Sequence, residues 1–92
     1  MPFGQGVKLG ILNNLIQGSS GDEVKILQEL LIKERVYPEG LITGFFGELT
    51  KQSVIRCQEK YAAEILAPVG MTQGSGYFGA SSRAKANALL GK

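Results

Sequence analysis

At 92 residues, 43% of them apolar, the chain has the size and composition of one globular domain, with too many core-forming residues for a disordered tract. A domain this small buries only somewhat over ~60% of its unfolded surface, so every apolar helix face is needed. The net charge of +2 arises from acidic and basic residues alternating within segments. That pattern excludes the basic stripe a grip on nucleic acid phosphates requires, and no run approaches the ~20 apolar residues that cross a bilayer.

The N-terminus lacks the basic start, apolar centre and small-residue cleavage site of a secretory signal. Residues 1–13 read as a flexible or appended lead-in, loosest over Met1 to Gly10, and residues 14–92 as the domain, with Leu9, Ile11, Leu12, Leu15 and Ile16 able to form a packed lead-in to the first helix. That helix is expected over 20–34. Ser20-Gly21-Asp22-Glu23 has the form of a capping box, and Val24, Leu27, Leu30 and Leu31 recur at helical spacing. Pro38-Glu39-Gly40 marks the following turn. A second helix is expected over 48–64 with Val54, Cys57, Tyr61 and Ile65 inward, ended by Pro68-Val69-Gly70. A third is expected over 80–90, burying Ala86, Leu89 and Leu90. The fold class is therefore all-α, a compact three-helix bundle with two Gly/aromatic loops.

An internal repeat organises these elements. At an offset of 30, Val24, Gln28, Glu29, Glu34, Pro38 and Gly40 fall on Val54, Gln58, Glu59, Glu64, Pro68 and Gly70. At an offset of 32, Gly44-Phe45-Phe46-Gly47 falls on Gly76-Tyr77-Phe78-Gly79, and Thr50 on Ser82. A period near 30 marks one supersecondary unit used twice. The repeated Phe46 and Phe78 read as core plugs, and the variable Phe45 and Tyr77 as the exposed rings. Gln28 and Gln58 sit at the edge of the apolar stripes, where an amide satisfies the backbone of a neighbouring loop or reaches a ligand.

Catalytic chemistry finds no residues to carry it. The sequence has no histidine, so the commonest general base and zinc ligand are missing, and Cys57 lacks a partner base for nucleophilic attack. The lone Cys57 excludes an intrachain disulfide and reads as a small buried hydrophobe. The carboxylates are spread over helix exteriors, with no pair placed for acid/base work. Neither glycine loop has the trailing Lys-Ser/Thr of a phosphate cradle. No cofactor and no metal are expected.

Three blocks, in order and covering about residues 15–90, resemble the peptidoglycan-binding domain 1 family. Gly18 to Gln28 resembles its opening Gly-x-x-Gly-x-x-Val-x-x-Leu-Gln. Gly44 to Gln58 resembles Gly-x-Phe-Gly-Pro-x-Thr-x-x-Ala-Val-x-x-Phe-Gln, and Gly76 to Asn87 resembles Gly-x-x-Gly-x-x-Thr-Arg-x-x-Leu-Asn. Among the departures are Glu48 for Pro, Cys57 for Phe, Ser82 for Thr and Ala86 for Leu. The resemblance implies an orthogonal three-helix bundle that binds peptidoglycan without turnover and holds an attached envelope enzyme on its polymer. It implies a monomeric module of a longer exported protein, working in the cell envelope or outside the cell. The alternative is a protein-interaction or structural module that keeps the fold without glycan binding. Sugar faces and stem-peptide carboxylates call for an exposed ring, a cation and free helix-start N–H groups. Those requirements pick out one shallow groove lined by Tyr37, Phe45, Tyr77 and Arg83, with Thr50 and Gln58 shaping its floor.

Overall fold

The computed structural model describes residues 10–91. Residues 1–9, including Leu9 and most of the expected loose lead-in, lie outside the described residues. Among those described, the chain is helical, with two isolated bridges and no strand ladder. The principal helices are α1 (Asp22–Lys33), α2 (Glu48–Lys60) and α4 (Ala80–Leu89), with a single-turn α3 (Ala62–Ile65) and a 3₁₀ turn (Ala67–Val69) between the last two. This is the expected three-helix architecture, and α1 packs on α2 while α3 packs on α4.

Each of the three principal helices begins at a glycine, and none of these glycine N-caps supplies a side-chain hydrogen bond. The capping box expected at Ser20 does not form. Gly21 is the N-cap, at φ 125°, and Ser20 is held in a bridge to Phe45. Glu23 turns instead toward the lead-in, accepting hydrogen bonds from the amides of Leu12 (3.2 Å) and Asn13 (3.1 Å). Asp22 and Glu23 still suit the positive end of the α1 dipole.

α1 ends before Pro38 becomes relevant. Arg35 takes the left-handed conformation (φ 64°), the Val36 amide donates to the Leu31 carbonyl (3.1 Å), and the Arg35 amide donates to Ile32 (3.0 Å). This is a Schellman ending with arginine where glycine is usual. The expected helix over 48–64 is interrupted at Tyr61 (φ −114°, ψ 43°), whose hydroxyl meets the Glu34 carboxylate and whose ring lies near the ammonium groups of Lys60 and Lys85. Because α3 resumes after one residue, Ile65 still reaches the core.

The core gathers Val24, Leu27 and Leu31 from α1 and Val54 and Cys57 from α2 around Phe46 and Phe78. Both phenylalanines are buried plugs, as their repetition indicates. Tyr61, Leu89 and Leu90 are only partly buried, a correction to the expected core: they pack against its edge, and Tyr61 keeps its hydroxyl on a charged partner. The largest revision concerns the lead-in. Ile11 is fully buried, its amide donates to Asn87 Oδ1 (2.7 Å), and Asn87 Nδ2 donates back to its carbonyl (3.1 Å). Ile11, within the stretch expected to be a flexible or appended lead-in, is therefore part of the core, while Leu12 and Asn13 stay exposed.

Candidate functional site

The repeat builds two loops from one set of bonds. Gln28 is fully buried; its Oε1 accepts from the amides of Thr43 (2.9 Å) and Gly44 (3.0 Å). Its Nε2 donates to the Phe45 carbonyl (3.1 Å) and Thr50 Oγ1 (3.0 Å). Gln58 repeats this in the second unit. Its Oε1 accepts from Ser75 (2.9 Å) and Gly76 (3.0 Å), and its Nε2 donates to the Tyr77 carbonyl (2.8 Å) and Ser82 Oγ (3.1 Å). Thr43 and Ser75 complete each loop by accepting from the amides of Phe45 (3.1 Å) and Tyr77 (3.0 Å). A buried amide is stable only when so satisfied, and here each glutamine fixes the loop that carries an aromatic.

Glycine then sets the rings. A Cβ on Gly79 would come within 2.7 Å of Tyr77 Cε2, and one on Gly47 within 3.3 Å of Phe45 Cε2, so each ring lies over a residue that has no side chain. Phe45 remains 54% exposed and Tyr77 45% exposed. Beside each ring a cleft opens at a helix start. The cleft of about 250 Å³ at α4 is walled by Ile65, Leu66, Val69, Met71 and Tyr77, with Ser81 at the helix end. The cleft of about 220 Å³ at α2 is walled by Tyr37, Leu41, Phe45 and Leu49 above Thr50. The first turn of α2 carries Glu48, whereas that of α4 has no acidic residue. The α4 opening therefore presents unpaired N–H groups with no carboxylate of its own.

The lead-in braces both loops. Leu15 and Phe78 exchange backbone hydrogen bonds of 2.9 and 2.8 Å; Phe46 donates to Ser19 and Gly18 donates to Phe46, each at 2.8 Å. Asn14 Nδ2 donates to the Tyr77 hydroxyl (2.7 Å), and Arg83 Nε donates to Asn14 Oδ1 (2.9 Å). Arg83 Nη1 reaches the Leu12 carbonyl (3.2 Å).

The six expected site residues thus do not line one groove. Tyr37, Phe45 and Thr50 belong to the α2 cleft, and Gln58 and Tyr77 to the α4 cleft. Tyr37 is buried, with its hydroxyl donating to the Leu41 carbonyl (2.7 Å), so it forms a wall rather than an open ring. Thr50 and Gln58 are buried with their polar atoms engaged within the protein. Arg83 is partly exposed and donates to Asn14 and to the Leu12 carbonyl of the lead-in. Thr43, Ser75 and Asn14 escaped the sequence reading. The first two stand 32 apart, in step with the loops, and that offset could have found them; Asn14 has no counterpart and carries no such signal.

Residues 20–64 match the model of the family described as "Putative peptidoglycan binding domain". No curated protein and no solved structure matches the chain.

Proposed function

We propose, from the match of residues 20–64 to the peptidoglycan-binding domain 1 family, that the chain is a non-catalytic module that binds peptidoglycan and would hold an attached envelope enzyme on its polymer. The observation that carries this reading is the α4 cleft. An exposed tyrosine is fixed in place by Gly79 and Asn14 beside an apolar hollow, at a helix start that offers N–H groups and no competing acid. A ring face suits the apolar side of a sugar, and the helix start suits a carboxylate of the ligand. Holding an enzyme at its substrate raises effective concentration and needs no chemistry from the module itself.

Co-sedimentation with insoluble peptidoglycan tests this. The wild-type protein should sediment and release no fragments, and Tyr77→Ala should weaken binding about tenfold, near 1.4 kcal/mol, with little change in Tm. Arg83→Ala is expected to lower Tm as well, because its guanidinium ties the lead-in to α4. Failure of the wild type to sediment would favour the protein-interaction reading, and fragment release by clean protein would end the non-catalytic one.

A further inference from the structure

The α2 cleft is the repeat-equivalent of the α4 cleft. Tyr37, Thr43, Phe45, Gly47, Leu49 and Thr50 line the first. The residues 32 positions later in the sequence, from Val69 and Ser75 through Ser82, line the second. The correspondence extends to the ring, the glycine under it, the glutamine that fixes the loop and the helix that starts beneath.

The two clefts are joined by surface. A third depression of about 220 Å³ includes Ile16, Gln17 and Lys51 and shares Ser75 and Tyr77 with the α4 cleft. At its other end, Gln17 Nε2 donates to Glu48 Oε1 (3.5 Å), on the rim of the α2 cleft. Lys51 lays its stem along Gly76, where a Cβ would come within 2.8 Å of its Cγ, and has no ion-pair partner among the described residues. The depression that holds Lys51 thus shares Tyr77 with the α4 cleft and is tied through Gln17 to Glu48 of the α2 cleft.

We propose that the module binds a peptidoglycan glycan strand at two subsites, with Phe45 and Tyr77 each stacking on a sugar and Lys51 facing the acidic substituents carried between them. This rests on the peptidoglycan-binding reading. Two half-open clefts of the same build fit a ligand that repeats, because each subsite alone is weak and the second engagement becomes intramolecular once the first has formed. The clefts differ in one charge: Glu48 stands where the α4 cleft has Ala80. Carboxylates on the strand are therefore turned toward Lys51 and the start of α4, which gives the bound strand a direction.

The test uses glycan strands stripped of stem peptides by an amidase and sorted by length, with free stem peptides as a separate probe, in calorimetric titrations of the full chain. Affinity should rise at least about tenfold between a single disaccharide and strands long enough to reach both rings. Phe45→Ala should lower long-strand affinity to the disaccharide level. Its Tm should match wild type because the ring is exposed, and a matched Tm excludes misfolding as the cause of the loss. Wild-type affinity of Phe45→Ala for every length, or no length dependence in the wild-type protein, would overturn the second subsite. Binding of stem peptides without binding of stripped strands would overturn the glycan as occupant. If Phe45→Ala fails in either way while the wild-type protein still sediments with intact peptidoglycan, only this proposal falls. If the wild-type protein does not sediment, the reading beneath it falls too.

Discussion

Gln58→Leu isolates what the buried amide contributes. Leucine fills similar space but removes every polar partner, leaving the amides of Ser75 and Gly76 without an acceptor and the Tyr77 carbonyl and Ser82 hydroxyl without a donor. A buried group stripped of its partner costs roughly 1–3 kcal/mol. Gly76 is buried and bears the full penalty, whereas Ser75 is exposed and water replaces much of its loss. The sum is about 3–4 kcal/mol. Stability of a domain of this length is on the order of 5–14 kcal/mol, so the loss is a large share of the whole.

Urea unfolding followed by far-ultraviolet circular dichroism reads it directly. The midpoint should fall with the slope unchanged, and Tm should drop by roughly 12–30 °C. Gln28→Leu should behave alike, because its bonds repeat those of Gln58. A loss under about 1 kcal/mol for Gln58→Leu would refute the reasoning. It would mean that the backbone pairing of Leu15 with Phe78 positions the loop and the glutamine is incidental.

Two further substitutions should stabilise the domain. Ser53 is fully buried on α2, its hydroxyl has no partner among the described residues, and the family pattern has alanine there; Ser53→Ala should raise stability by about 1 kcal/mol in the same urea assay, and a loss would show that the hydroxyl is satisfied in solution. Arg35→Gly should relieve the left-handed backbone at the end of α1 by about 0.5–1 kcal/mol, offset in part by the greater freedom of glycine in the unfolded chain; a destabilised variant would show that the arginine side chain contributes more than its backbone costs.

The helices and core plugs were legible because they leave a period in the sequence: Val24, Leu27 and Leu31 mark a face, and the repeat marks Phe46, Phe78 and the two glutamines. The lead-in was not, because backbone pairing to Phe78 and Phe45 and side-chain bonds to Asn87 and Glu23 impose no period on Ile11, Leu12 or Asn14. The partner of Ile11 lies 76 positions away. The site was half legible. Exposure of Phe45 and Tyr77 follows from variation at a repeated position, but six residues drawn from two units were merged into one groove. A duplicated unit places one copy of each feature in each half, so Phe45 and Tyr77 serve separate clefts. The break at Tyr61 was hidden because Val54, Cys57, Tyr61 and Ile65 keep helical spacing through it.

The junction at Tyr61 should make stability fall at both ends of the pH range. The Tyr61 hydroxyl, donating to Glu34, is the largest cause holding that carboxyl below its usual range; Lys60 adds a 3.2 Å ion pair, and burial opposes both. A carboxyl with a lowered folded pKa adds stability that is complete above its ordinary value near 4.5 and lost as pH falls through the folded value. Tyr61 is pushed up to about 12, chiefly by the same hydrogen bond, and Cys57 to about 11, chiefly by burial. Groups raised in this way stabilise fully below their ordinary values of 10 and 9 and lose that contribution as pH climbs toward 12 and 11. Urea midpoints across pH should therefore fall below about pH 4.5 and again above about pH 9. Glu34→Gln should shallow the acid limb, because its amide does not titrate. It should also move part of the alkaline loss to lower pH, because Tyr61 no longer faces a carboxylate. An acid limb in Glu34→Gln that runs parallel to wild type would place the responsible carboxylate elsewhere and reduce the Glu34–Tyr61 bond to a packing contact.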